Sequence, residues 1–152
     1  MNTRKIIRSE PSPDSTIKRY STKPFYTLII NRNTEDHHHL RTALNEMIPN
    51  VLIESLYDEE ETIAYFENCK NKPDLIFLDM NMHTIFLKFA LYTIRKTQLL
   101  CSVPVAIVNS SLNIKNREEL KAFGVSEFYL ELKRKLELRL ISYDVKKRWL
   151  VV

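Results

Sequence analysis

The segment Pro73-Asp74-Leu75-Ile76-Phe77-Leu78-Asp79-Met80-Asn81-Met82 runs through four apolar residues and delivers one carboxylate, Asp79, to its far end. A short apolar run bounded by proline and by a polar cluster predicts a strand buried on both faces of a parallel sheet. Ligands and reacting groups gather at the carboxyl edge of such sheets, so Asp79 is the residue at which chemistry is expected. The other candidates are weaker. His37-His38-His39 offers metal-ligand chemistry, but consecutive helical residues point about 100° apart and do not share one small ion easily. That triplet is expected to be an exposed first turn of a helix. Ser110 and Ser111 have no histidine near them in sequence to activate a nucleophile. The single glycine excludes a P-loop or GxGxxG phosphate cradle, whose turns need several glycines for positive φ and close backbone approach.

The elements that must position Asp79 follow a regular beat. Phe25 to Ile30 reads as a first strand, and Glu35 to Ile48 as a helix with Leu40, Ala43, Leu44, Met47 and Ile48 at helical spacing, ended by Pro49 and Asn50. Val51 to Leu56 is the second strand. Asp58 is a predicted N-cap for a helix through Cys69, with Glu59, Glu60 and Glu61 suited to its amino-terminal dipole. Asp74 to Leu78 is the third strand, Thr84 to Lys96 a helix, and Pro104 to Val108 the fourth strand. Asn113 to Phe123 is a helix closed by Gly124, and Ser126 to Leu130 is the fifth strand. A final helix carries Leu132, Leu136, Leu140, Ile141, Val145 and Trp149 along one stripe, with Lys133, Arg134, Lys146, Lys147 and Arg148 off it.

Five strands alternating with five helices predict right-handed crossovers and an α/β fold of three layers, a doubly wound parallel sheet of order 2-1-3-4-5. In that arrangement the residues just after the strands converge on one crevice: Asn31 and Arg32, Asp79 and Asn81, Asn109 and Ser110, and Glu131.

Composition bounds the class. A chain of 152 residues, 44% of them hydrophobic, suffices for one domain with one core. No apolar stretch reaches the roughly 18 residues of a membrane span, and no apolar h-region follows the basic start, so a cytoplasmic protein is expected. Cys69 and Cys101 share no ligand spacing and are expected as two reduced thiols. Before Phe25, six basic residues face only Glu10 and Asp14, an excess that accounts for the whole net charge of +4. With Pro11, Pro13 and Pro24, this predicts a flexible basic tail over 1–24 and a domain over 25–152.

From Phe25 to Trp149 the sequence resembles the receiver domain of two-component response regulators. The resemblance is carried by the Pro73 to Met82 segment, similar to the phosphoacceptor strand, by Pro104-Val105-Ala106-Ile107-Val108, and by Gly124-Val125-Ser126-Glu127-Phe128 before the fifth strand. It implies that Asp79 matches the aspartate that accepts a phosphoryl group from a histidine kinase, and that Phe128 holds the place of the switch aromatic. It also implies a stand-alone receiver with no output domain. The rest of the family's site departs: Asn31 and Arg32 replace the acidic pair that holds Mg²⁺, Asn109 the hydroxyl residue, and Glu131 the lysine, with Leu132 in place of the usual proline. His83, Thr84 and Leu87 stand where receivers often have proline and glycines.

Mg²⁺ dehydrates reluctantly and is held through carboxylates and phosphate oxygens, so this set predicts a degenerate site with no cofactor. Glu131 would repel a transferring phosphoryl group, whose charge must be neutralised. A guanidinium forks onto a carboxylate, so Arg32 is expected to form a metal-free ion pair with Asp79, either structural or holding one signalling conformation. Three function classes remain. The first is a pseudo-receiver acting through protein contacts, with a histidine kinase, a phosphotransfer protein, a downstream regulator or a second copy as partner. Its contact surface is the face of helix four, strand five and helix five, or the helix-three stretch Ile85, Phe86, Leu87, Phe89, Ala90, Leu91. The second is a working phosphoacceptor in a phosphorelay, with Mg²⁺ and with Asn109 donating through its amide. The third, more distant, is a nucleic-acid adaptor using the tail, which would lose affinity log-linearly with salt. A flavodoxin-type carrier fits least, because Asn31-Arg32-Asn33-Thr34 lacks the phosphate-loop residues.

Overall fold

The computed structural model describes residues 23–110 and 114–150. The tail as far as Thr22, together with Ser111 and the expected helix start at Asn113, lies outside the described residues. Five strands, β1 (Phe25–Ile30), β2 (Val51–Leu56), β3 (Leu75–Asp79), β4 (Val105–Val108) and β5 (Glu127–Phe128), alternate with α1 (Thr34–Met47), α2 (Glu59–Asn68), α3 (Thr84–Lys96), α4 (Ile114–Ala122) and α5 (Lys135–Trp149). All strand pairs are parallel and the order is β2-β1-β3-β4-β5, the doubly wound arrangement expected from the alternation.

The pleat divides the core into two layers. Leu28, Ile30, Ile76, Leu78, Val105 and Ile107 pack with Phe66 of α2, with Phe86, Leu91 and Ile94 of α3, and with Leu120 of α4. Their neighbours in sequence, Ile29, Leu75, Phe77, Ala106 and Val108, pack with Leu40 and Leu44 of α1 and with Leu138, Ile141 and Val145 of α5. Side chains alternate faces along a strand, so Asp79 follows Leu75 and Phe77 onto the α1/α5 face. Asn31 follows Phe25 and Ile29 onto the same face.

Local signals hold at most boundaries. Asp58 caps α2 by accepting from the Glu61 N–H at 2.8 Å. Asn50 after α1 takes a left-handed φ of 58°, and Gly124 after α4 a φ of 88°, a region where only glycine and asparagine are at ease. Three expectations fail. Leu132 precedes α5 instead of opening it, and Leu136 and Leu140 are 64% and 53% exposed, because the buried stripe of α5 runs through Leu138, Ile141, Ser142 and Val145. The β5 ladder is confined to Glu127–Phe128. The histidine triplet is not an exposed turn: His37 is buried, since it shares the inward face of α1 with Leu40 and Leu44, while His38 is exposed.

Both cysteines are free thiols. Among the described residues no helix is long and apolar enough to cross a membrane.

Candidate active site

The carboxyl ends of β1, β3 and β4 open into a cavity of about 440 Å³ lined by Arg32, Asn33, Asp36, Asp79, Asn81, Asn109, Ser110, Glu131 and Lys133. Six of the seven crevice positions expected around Asp79 lie in this lining, and Asn31 is buried behind it with a hydrogen bond to Asp36.

Asp79 is buried, with one oxygen accepting from the Asn81 backbone N–H at 3.1 Å and from Asn109 Nδ2 at 2.9 Å. The second carboxylate is Asp36, which was not among the residues expected from sequence. The N-cap Asn33 accepts from the Asp36 N–H at 3.0 Å, and the first turn of α1 holds Asp36 over the sheet face on which Asp79 lies. Its Oδ2 accepts from Asn31 Nδ2 at 3.2 Å and from Asn109 Nδ2 at 2.9 Å. One amide of Asn109 therefore bridges two buried carboxylates. A signal for Asp36 was present: an acid three residues after an Asn N-cap falls in the first turn, at the sheet edge where the crevice opens.

Asn109 sits at a left-handed φ of 56°, which turns its side chain back over the sheet edge. Its Oδ1 accepts from the Leu132 N–H at 3.0 Å. Asn31 is equally committed: its Oδ1 accepts from the Asn33 N–H at 2.7 Å, and its carbonyl accepts from His37 Nε2–H at 2.6 Å. His37 packs against Tyr57 with ring centroids 4.1 Å apart, and burial lowers its pKa from the ordinary histidine value. It thus acts as a neutral donor that fixes the β1–α1 turn.

The expected pairing of Arg32 with Asp79 is overturned. Arg32 Nη2 lies 3.3 Å from Glu59 Oε2, with its side chain 62% exposed. The reason is the pleat: Asn31 points to the α1/α5 face, so Arg32 points to the other, where α2 begins at Glu59. The cation the lining does gain is Lys133, just beyond β5, which its place off the apolar stripe had put on the solvent side of the last helix. Phe128 lies in the opposite layer beneath Arg117, whose guanidinium carbon is 4.9 Å from its ring centroid. Ser110 is buried, and its Oγ has no hydrogen-bond partner among the described residues.

Burial raises the Asp79 pKa, the nearby Asp36 charge raises it further, and the Asn109 and Asn81 hydrogen bonds oppose both. The sign follows from proton uptake. A folded-state value above the unfolded one means that the native state binds more protons between the two. Stability then falls as pH rises from the ordinary carboxylate range through the raised folded value. Asp79→Asn removes the charge but keeps an oxygen for Asn109, so it is expected to lose this pH dependence and to gain about 1–2 kcal/mol above that window. Urea unfolding of both proteins from pH 4 to 8 checks it; parallel stability curves would refute it.

The donor set does not suit a receiver-type Mg²⁺. The Asn109 amide puts N–H hydrogens, not a cation, against one oxygen each of Asp36 and Asp79, and Asn31 donates to the same Asp36 oxygen. Among the described residues no group of three or more His, Cys, Asp or Glu side chains is placed to hold a metal. The residues as arranged do not fit the ion.

A carboxylate at the end of the central strand of a 2-1-3-4-5 parallel sheet, with its crevice built from the β–α turns, defines a receiver-like fold. Among solved structures the chain is similar to the phosphorylated cyanobacterial phytochrome response regulator RcpA, with a TM-score of 0.71 and 20% identity over 83% of this chain and 94% of that one. It is also similar to the Mn²⁺-bound response regulator Rcp1 (TM-score 0.70, 18% identity, 84% and 95% covered). The chemotaxis response regulator CheY4 of Vibrio cholerae gives a TM-score of 0.67 at 17% identity, with 82% and 99% covered. No family model matches the sequence and no curated protein is recognisably similar to it. At these identities the likeness establishes the fold.

Proposed function

We propose that the chain is a signal-transduction module of the response-regulator receiver type, with impaired Mg²⁺-dependent phosphorylation, that acts through protein–protein contacts. One observation carries this reading: the Asn109 amide stands between Asp36 and Asp79, where its hydrogens already occupy one oxygen of each carboxylate. Transfer to a carboxylate depends on neutralising charge on the transferring group, and an amide dipole supplies much less of that than a divalent ion. In this reading the chain is not an enzyme and works in the cytoplasm. Its partners are a histidine kinase, a phosphotransfer protein, a downstream regulator or a second copy. Contact would use the apolar groups left uncovered, Ile85 and Phe89 on α3 or Leu136, Leu140 and Tyr143 on α5.

A second reading, a working phosphoacceptor at Asp79, draws on Asp36 and Lys133, which bring an acid and a cation to the cavity. Titration with beryllofluoride and Mg²⁺, followed by amide NMR with Asp79→Asn as control, separates the two. The proposed function expects no shifts at millimolar Mg²⁺. Metal-dependent shifts at Asp79, Asn109 and Phe128 that vanish in the control would establish the second reading instead.

A further inference from the structure

We propose that residues 17–21 of this chain, the segment Ile17-Lys18-Arg19-Tyr20-Ser21, dock along the outer edge of β2 as a sixth strand antiparallel to it. This contact is independent of the Asp79 site and of the signalling role proposed above.

The order β2-β1-β3-β4-β5 leaves β2 at a border of the sheet, with no described strand beyond it. The Phe25 N–H donates to the Asn50 carbonyl and the Asn31 N–H to the Leu56 carbonyl, each at 3.0 Å, so Leu52, Glu54 and Leu56 turn their backbone to β1. Val51, Ile53 and Ser55 therefore turn theirs outward. Natural sheets blunt an exposed edge with lysine, proline or a bulge. The six residues of β2 include neither lysine nor proline, and Leu52 is 54% exposed. Arg41 reaches from α1 to the Ile53 carbonyl at 3.3 Å and to Ser55 Oγ at 3.2 Å, but a guanidinium only donates and cannot serve the outward N–H groups.

A cavity of about 810 Å³ runs along this edge. Leu52, Ile53, Glu54 and Ser55 all line it, and because consecutive side chains of a strand point to opposite faces, a cavity they share flanks the edge itself. Lys23 and Pro24 line it too, so the 22 residues that precede them join the domain inside this groove. Crossing from β1 past β2 takes two strand spacings, about 9.6 Å, and residues 22–24 reach about 10 Å when extended. Residues 17–21 then fall beside β2. They run antiparallel to it, because the chain enters β1 at the end where β2 also begins. The segment contains no proline or glycine, and Ile17 and Tyr20 are types favoured in strands. Lys18 and Arg19 meet Glu54 here and Glu61 in an adjoining cavity of about 650 Å³ that shares Tyr26, Glu54, Ser55 and Asn71 with the first. A second copy would instead bring its own Glu54 to this edge, a like charge facing a like charge.

Amide hydrogen exchange of the ¹⁵N-labelled full chain is measured for wild type, for Arg19→Pro/Tyr20→Pro and for Lys18→Glu/Arg19→Glu. Only alternate residues of a strand turn their N–H to a given neighbour, so two adjacent prolines remove a donor in either register. Both variants leave every described residue unchanged. The Ile53 and Ser55 amides are expected to exchange about tenfold more slowly in wild type than in the proline variant. Charge reversal should remove most of that protection at low salt. The Glu54 amide, whose backbone faces β1, is the control and should exchange alike in all three. Equal exchange of Ile53 and Ser55 in wild type and the proline variant would overturn the docking, as would protection that survives charge reversal. Protection that rises with protein concentration would also overturn it, by assigning the edge to a second copy.

Discussion

Replacing Asn109 by leucine is expected to lower the unfolding free energy by about 3–5 kcal/mol, measured by urea denaturation at neutral pH. The amide gives two hydrogen bonds to buried carboxylates, and bonds to charged groups contribute about 1.5–3 kcal/mol each. Leucine leaves Asp36 and Asp79 facing each other without a shared donor, the situation in which an uncompensated buried charge costs most. It also places a γ-branched side chain at φ of 56°, which adds about 1 kcal/mol. The origin of the loss can be checked directly. Adding Asp79→Asn to Asn109→Leu removes one of the stranded charges, so the pair should be more stable than Asn109→Leu alone by about 2 kcal/mol. A loss below about 1 kcal/mol for Asn109→Leu, or no recovery in the pair, would mean that the amide bridge carries little of the site's stability.

The second large effect lies at the opposite end of the sheet. Arg95 on α3 donates to the carbonyls of Cys101 at 3.2 Å, Val103 at 2.9 Å and Gly124 at 2.7 Å. One guanidinium thus ties together the chain before β4 and the turn before β5. Arg95→Met keeps most of the aliphatic stem and removes all three bonds, for an expected cost of about 3 kcal/mol. The contact with Gly124 makes a sharper test. A Cβ on Gly124 would stand 2.6 Å from Arg95 Nε, and the φ of 88° strains any L side chain. Gly124→Ala should cost about 2 kcal/mol in the wild type, but only the backbone strain of about 1 kcal/mol once Arg95 is methionine. Additive losses in the double-mutant cycle would show that Arg95 moves aside freely and that its three bonds are not a fixed tether.

The layer structure was legible in the amino-acid order alone. Apolar runs that alternate between period two and period 3.6 leave few ways to bury every face, and right-handed crossovers leave one natural strand order. Asp79 at the edge of the central strand was legible because a run such as Leu75 to Leu78 can only be interior, so the polar residue ending it must stand at the rim. Caps and turns were legible for an equally local reason: Asp58 and Gly124 act on backbone groups within a few residues of themselves. Even the failure of the Arg32–Asp79 pair was written in the period of β1, since adjacent residues on a strand face opposite sides. That alternation predicts the partner Arg32 takes on the α2 side.

Which distant groups meet was settled by the packed molecule. Asp36 reaches Asn109 across 73 residues of sequence, and that meeting depends on how α1 is rotated and seated on the sheet, a property of the packed layer and not of the helix pattern. The phase of α5 was decided the same way. Leu136, Leu140 and Leu138 are chemically equivalent in sequence, and the fit against α1 and β4 chose Leu138 for burial. The character of the site therefore rests on long-range packing, because a hydrogen bond of 2.9 Å between an asparagine and two carboxylates tolerates almost no error in how three elements are placed.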